Sequence, residues 1–175
     1  MTLKESVEPL FTQEAIARRI GELAIDIRRD AGDGEVFLLG ILKGASCFLA
    51  DLMRAIPGPV GYAYIDVVRD PADTETATAL EIDFLSHTDI SGRSVYVLKD
   101  VISTGVIENY LLAQLRLHNP ASLKLVALLD RPELRTVDIG PDYRAFEVKE
   151  GLYAGYGLEF ENAFGNLPYI GKIRR

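Results

Sequence analysis

The sequence predicts an α/β fold, a mostly parallel twisted sheet with helices on both faces. Three observations carry that expectation. The runs 36–42, 94–98 and 123–129 are continuously apolar and strand-length, as in strands covered on both sides. Segments of helical periodicity separate them, and strand–helix alternation is the order that builds a parallel sheet through right-handed crossovers. Each run also passes straight into polar residues at its carboxyl end.

The first helix is read at 14–29. Thr12 can cap it, Glu14 puts a negative charge in the first turn, and Ile16, Ile20, Leu23 and Ile27 form one stripe. Ala31-Gly32-Asp33-Gly34 breaks it. After the strand 36–42 comes a short helix, 47–56, stopped by Pro57. A second strand follows at 60–68. The stretch 69–78 is rich in acids and turn formers and has no period, so it reads as a mobile loop. Leu80, Ile82 and Phe84 alternate with Glu81 and Asp83, a half-exposed strand that pairs with its predecessor. Ser91-Gly92-Arg93 is a turn before the strand 94–98. A helix at 106–118 ends at Asn119-Pro120, and the strand 123–129 follows. Shorter extended pieces are read at 146–148, 153–156 and 167–170. Without repeats or linkers, residues 1–175 are expected to form a single domain.

Composition narrows the function. The 175 residues can bury a core, and 48% hydrophobic with 26% charged residues is a globular balance. A net charge of −7 excludes a general nucleic-acid binder, which needs a basic footprint. Phosphate binding stays open, because backbone amides and a few cations suffice. No apolar run approaches a membrane span, and the polar start Met1-Thr2-Leu3-Lys4-Glu5-Ser6 lacks a signal-peptide stretch. The single Cys47 cannot form an internal disulfide, and the cytoplasm is the expected location. Cys47 itself is read as a small buried hydrophobe. His87 and His118 have no companion metal ligand. Tyr62 and Tyr64 share a strand face and are read as core or interface.

Open parallel sheets bind ligands at the carboxyl ends of their strands. Here those ends are Lys43-Gly44, Lys99-Asp100 and Asp130-Arg131. Each alone is an ordinary solvated strand end, but three on one edge point to a pocket. The loop Asp100-Val101-Ile102-Ser103-Thr104-Gly105 leads into a helix and offers hydroxyls, a glycine and a helix N-terminus, which together make an anion cradle. Ser103 or Thr104 could equally cap the helix, and the two roles compete for the same amides.

Longer stretches carry a resemblance. They are Gly40-Ile41-Leu42-Lys43-Gly44-Ala45, then Gly92 through Gly105, Ala127-Leu128-Leu129-Asp130-Arg131-Pro132, Gly155-Tyr156-Gly157-Leu158 and Asn166-Leu167-Pro168-Tyr169-Ile170. In these the chain resembles the type I phosphoribosyltransferases, most of all the hypoxanthine-guanine family. The resemblance implies transfer of ribose 5-phosphate from phosphoribosyl pyrophosphate to a purine, with magnesium, in purine salvage. It implies homodimers or homotetramers, and small-molecule partners (nucleotide, phosphoribosyl pyrophosphate or purine) with no nucleic acid or membrane. Lys43 and Gly44 match the pyrophosphate-side loop, whose peptide is often cis. Asp100, Ser103, Thr104 and Gly105 match the phosphoribosyl loop. Arg131, Leu152 and Tyr153 fall around the purine, and Asp100 and Glu159 on the metal side.

The same resemblance marks departures. The family's loop reads Glu-Asp-x-x-Asp-Thr-Gly-x-Thr, and here Lys99, Ser103 and Ile107 replace the first acid, the second Asp and the last Thr. A lysine has no acceptor for ribose hydroxyls. Ser103 occupies the general-base position without a useful pKa, which puts roughly 10²–10⁴-fold in rate at stake. The flap's Ser-Tyr is replaced in the stretch Val68-Arg69-Asp70, the purine-reading lysine by Arg131, the stacking aromatic by Leu152, and a pyrophosphate arginine by Gly165. No residue stands out as catalytic, and weak or lost transferase activity is expected. The alternatives are a nonenzymatic nucleotide-binding or regulatory protein, and a silent subunit of an active paralogue.

Overall fold

A computed structural model describes residues 6–69, 80–84 and 88–174. The loop expected at 69–78 (Arg69 apart) and His87 lie outside the described residues. In chain order the elements are β1 (Ser6–Phe11), α1 (Gln13–Ala31), β2 (Val36–Ile41), α2 (Ser46–Ala55), β3 (Val60–Arg69), β4 (Leu80–Phe84), β5 (Ser94–Ile102), α3 (Val106–Arg116), β6 (Ser122–Asp130), β7 (Tyr143–Glu147), β8 (Tyr153–Ala154) and β9 (Ile170–Arg174). Five strands run parallel in the order β3-β2-β5-β6-β7, and β4 adds antiparallel at the β3 edge. A small antiparallel sheet, β1-β9-β8, forms a hood. This is the α/β architecture that the apolar runs predict.

Strand alternation sorts the core into two layers. Val36, Leu38, Tyr96, Leu98, Val126 and Leu128 pack with the α1 stripe and with Phe48, Leu49 and Leu52 of α2. Phe37, Leu39, Ile41, Val95, Val97, Leu125 and Ala127 pack with Leu111, Leu112 and Leu115 of α3. All six residues of β2 are buried, which is why that run shows no polar alternation. Gly40 has a packing reason: a Cβ there would lie 2.7 Å from Leu49 Cδ1 and 2.9 Å from Tyr64 Cδ1. The Thr12 hydroxyl accepts the Ala15 N–H at 3.2 Å, so the expected cap is present. Among the described residues no helix is long and apolar enough to cross a membrane.

Several boundaries differ from the sequence reading. β5 continues past residue 98 because β6 goes on pairing with it, Lys99 opposite Ala127, Val101 opposite Leu129 and Ile102 opposite Asp130. Lys99 and Asp100 are therefore strand residues, and the loop proper is only 103–105. β7 starts earlier than 146–148, at Tyr143, where it pairs with Val126. The piece read at 153–156 shortens to Tyr153–Ala154, because Gly155 and Tyr156 turn to positive φ, 101° and 52°. The piece read at 167–170 is a strand at Ile170–Arg174, paired with β1, which carries no apolar alternation of its own. Cys47 is exposed, because the second residue of α2 lies on its open side. Tyr64 packs on the core, while Tyr62 meets it edge-on and stays exposed.

Phe48 is fully buried between α2 and the sheet, so Phe48→Ala should destabilise the fold by about 3–5 kcal/mol. Tyr62→Ala, at an exposed position, should change stability by about 0.5 kcal/mol or less. Urea unfolding midpoints of the two variants distinguish these outcomes.

Candidate functional site at the strand ends

The loop 103–105 is oriented by its carbonyls. The Arg131 N–H donates to the Ile102 carbonyl at 3.0 Å, Arg135 Nη1 to the Ser103 carbonyl at 2.7 Å, and the Thr136 N–H to the Thr104 carbonyl at 3.0 Å. In a trans peptide the N–H points opposite the C=O. The amides of Ser103, Thr104 and Gly105 are thus turned together to the side away from 131–136. Gly105 adopts φ 82° at the N-cap of α3, and a Cβ there would sit 2.5 Å from Ile139 Cγ2. With glycine at the cap position, no side chain closes the helix N-terminus. Thr104 Oγ1 meets the Val106 N–H only at 3.4 Å, so the capping alternative contributes little. The result is three amides and a helix N-terminus turned to one side, an arrangement able to take an anion.

The grip on Ser103 is anchored by a buried acid. Asp130, at the end of β6, is 1% exposed. Its carboxylate pairs with Arg135 Nη2 and, at 3.2 Å, with Arg144 Nη1. A charge so buried is tolerable only when paired and hydrogen-bonded. Arg135 thereby forks between Asp130 and the Ser103 carbonyl.

The other strand ends close on the same edge. The Leu42–Lys43 peptide is cis, Lys43 is exposed, and its carbonyl accepts from Ser46 N–H at 3.1 Å and Ser46 Oγ at 2.6 Å. Gly44 lies against Asp100: a Cβ on Gly44 would stand 1.9 Å from Asp100 Oδ2. Gly157, at φ 90°, comes down on Gly44, and a Cβ on Gly157 would stand 3.0 Å from the Gly44 carbonyl oxygen. Next to it, the Tyr156 hydroxyl donates to Asp51 Oδ2 at 2.6 Å, pinning this turn to α2. Burial, together with Asp51, pushes the Tyr156 hydroxyl pKa far up. Glu159 is exposed and its stem lies over Gly165, 3.0 Å from where a Cβ would be.

On the β6 side, burial of the Tyr153 ring raises its hydroxyl pKa, and the Arg131 charge works more weakly in the other direction. The Tyr153 hydroxyl donates to the Lys149 carbonyl at 2.8 Å. Arg131 Nε is buried and lacks an acceptor among the described residues. Leu152 is 44% exposed beside them in sequence. The structure thus joins Lys43, Gly44 and Asp100 in one contact set, and links the 103–105 loop to the 131–136 segment.

Sequence reading missed Glu108. It sits in the first turn of α3, 4% exposed, at the head of the buried stripe Leu111, Leu112 and Leu115. Burial raises its carboxyl pKa most, and the Asp100 charge adds to this. Its own backbone N–H, Lys99 and Arg135 act in the opposite direction. The available signal was an acid inside an apolar helical stripe. Lys99 Nζ contacts Asp100 Oδ1 at 2.8 Å, and the Val101 N–H donates to that same oxygen at 2.8 Å. A hard dication needs several oxygen ligands in a regular shell. Among the described residues no group of three His, Cys, Asp or Glu side chains is placed to hold a metal, and the accessible carboxylate here already faces an ammonium. Magnesium at a substrate site rests on one or two carboxylates and the ligand's own phosphates, and with an ammonium on its Oδ1, Asp100 is poorly placed to serve as one of them.

Comparison with known proteins places this geometry in context. The family model for the phosphoribosyl transferase domain matches residues 6–161. The chain is 32% identical over 173 residues to a hypoxanthine-guanine phosphoribosyltransferase of Bacillus subtilis, covering 98% of this chain and 96% of that protein. A Dictyostelium discoideum enzyme of the same name is 31% identical, with 97% and 96% covered. Among crystal structures, a hypoxanthine-guanine phosphoribosyltransferase from Bacillus anthracis with HEPES in its active site superposes with a TM-score of 0.91 at 30% identity, covering 98% of this chain and all of the other. A Trypanosoma cruzi hypoxanthine phosphoribosyltransferase variant in a ternary substrates complex gives a TM-score of 0.89 at 30% identity, with 95% of each chain covered.

Arg135→Met removes one partner of a buried carboxylate and should cost about 3–5 kcal/mol, read from chemical denaturation. Glu108→Gln tests the buried acid. A carboxyl whose folded pKa is raised loses stability as pH rises from its ordinary range towards the folded value. The variant should therefore gain stability over the parent at neutral pH, and the gain should vanish by about pH 3, where both the folded and the unfolded carboxyl are protonated. Thermal melting across pH checks this.

Proposed function

The chain belongs to the phosphoribosyl transferase family, among the hypoxanthine-guanine phosphoribosyltransferases of purine salvage, and from that premise we propose that it holds a phosphoribosyl ligand at the strand ends and transfers the group slowly or not at all. The carrying observation is Ser103. Its backbone is held by Arg135 inside the anion cradle, at the position where the resemblance puts the general base. A serine hydroxyl has no proton affinity matched to neutral pH, whereas a carboxylate does. Binding and chemistry are thereby separated within one loop.

The ligand-holding part is well supplied. Three co-directed amides and the open N-terminus of α3 suit a 5′-phosphate, with Ile107 offering no hydroxyl to assist. Lys43 and Gly44 serve the pyrophosphate side. Arg131 has a buried Nε without an acceptor, and the purine's oxo group would supply one. Tyr153 and the exposed Leu152 would wall the base. In this reading the chain works as one domain, in a homodimer or homotetramer, in the cytoplasm. Hypoxanthine-guanine phosphoribosyltransferases typically use magnesium, but Asp100 already meets the Lys99 ammonium, so no step is routed through a metal. A second reading, a nucleotide-binding regulator or a silent subunit of an active paralogue, is favoured by the Lys99–Asp100 contact, because it occupies the carboxylate that ribose hydroxyls would need.

The test combines binding and turnover. Guanosine or inosine 5′-monophosphate should bind in a calorimetric titration, while conversion of hypoxanthine or guanine should fall well below the ~10 s⁻¹ of an ordinary enzyme. Ser103→Asp with Lys99→Glu should raise kcat more than the two single changes predict, since groups serving one transition state act together. Wild-type turnover at the ordinary rate sinks the proposal of weak catalysis. Silence towards nucleotides at millimolar concentration sinks the binding assignment.

A further inference from the structure

Lys99 has no ligand-binding role in the proposed function. Along β5, Val95 and Val97 face the α3 layer, whereas Tyr96 and Leu98 face the α1–α2 layer. Beyond Leu98 this alternation slips, since Val101 packs with the α1–α2 layer and Ile102 with the α3 layer. Asp100 meets Gly44 at this strand end, and Lys99 Nζ lies 2.8 Å from Asp100 Oδ1. Glu108, buried at the head of the α3 stripe, is electrostatically coupled to both Lys99 and Asp100. The ammonium is thus in contact with one carboxylate and within electrostatic reach of a second, buried acid. Its side chain is 20% exposed, and that of Asp100 is 22% exposed, so both still reach the open edge.

The chemistry of this arrangement differs from that of a metal site. Magnesium requires near-ideal octahedral oxygen coordination at ~2.0–2.1 Å and keeps several waters. A dication at the Asp100 Oδ1 position would sit against an ammonium that already makes that contact. The ammonium instead offers three donors on a flexible stem and no acceptor. Ribose hydroxyl and pyrophosphate oxygens are acceptors, so such a group can meet them directly. We propose that Lys99 is a built-in cation standing in for the divalent ion at Asp100, so that the site binds phosphoribosyl pyrophosphate without metal. Glu108 adds a buried acid within electrostatic reach of the ammonium. The inference rests on the reading of this edge as a phosphoribosyl site.

The experiment is isothermal titration of phosphoribosyl pyrophosphate into the full chain, once with EDTA and once with magnesium. Wild-type affinity should differ by no more than about threefold between the two buffers. Lys99→Glu should bind weakly in EDTA and recover with magnesium. Because it places a third acid beside Asp100 and Glu108 and can unfold the edge, Lys99→Gln is the companion variant, with melting temperature as the folding check. Lys99→Gln should lose about tenfold or more in EDTA. Wild-type binding that appears only with magnesium overturns the inference and leaves the phosphoribosyl assignment standing. So does a folded Lys99→Gln with wild-type affinity in EDTA. No binding in either buffer overturns the phosphoribosyl assignment and the inference with it.

Discussion

Three successive peptide groups share one orientation at the end of β5, and the site depends on it. The carbonyls of Ile102, Ser103 and Thr104 are taken up by Arg131, Arg135 and Thr136, so the amides on the reverse of those peptides are presented together. No single residue of 103–105 could impose this. The orientation is imposed from the following crossover, and its strongest link is a guanidinium that also neutralises the buried Asp130. A fixed set of unpaired amides is costly for a fold to keep, which is why the geometry is over-determined by packing against Ile139 and by the left-handed Gly105.

Close backbone approach brings the remaining pieces to the same edge. Gly40 lets α2 and Tyr64 settle on the sheet, and Gly44 admits the Asp100 carboxylate where any side chain would collide. Gly157 then closes the hood turn onto Gly44. Tyr156 ties that turn to α2 through Asp51, coupling the hood to the layer that supports β2. Gly44, Asp100 and the hood turn therefore form one packed unit with Lys43 exposed beside it, while the 131–136 segment fixes the other side.

Electrostatics at this edge follows from which layer each charge belongs to. Asp130, Arg135 and Arg144 form a self-contained group that carries structural duty. Lys99 and Asp100 form a second, partly exposed pair at the end of β5, electrostatically coupled to the buried Glu108. Lys99 bears on more than one acid, since it contacts Asp100 and is electrostatically coupled to the buried Glu108. The loop 103–105 and the Lys99–Asp100 pair thus rest on separate supports.

Much of this was readable in the chain itself, wherever the signal was local. The cap and stripe of α1, the unbroken apolarity of β2, the pairing of Leu80–Phe84 with its predecessor and the convergence of three polar strand ends all follow from periodicities a few residues long. The identities of Lys99, Ser103 and Ile107 were likewise plain. Tertiary structure alone decided the rest. β1 and β9 exist by pairing with each other from opposite ends of the chain, and neither shows a strand pattern alone. β5 reaches Ile102 only because β6 accompanies it. The burial of Glu108 in α3, and the engagement of Arg135 by Asp130 and the Ser103 carbonyl, have no local sequence signature strong enough to show their partners. Periodicity records which side of an element is apolar, but hydrogen bonds and ion pairs between distant segments depend on where the layers meet. That placement is set by packing.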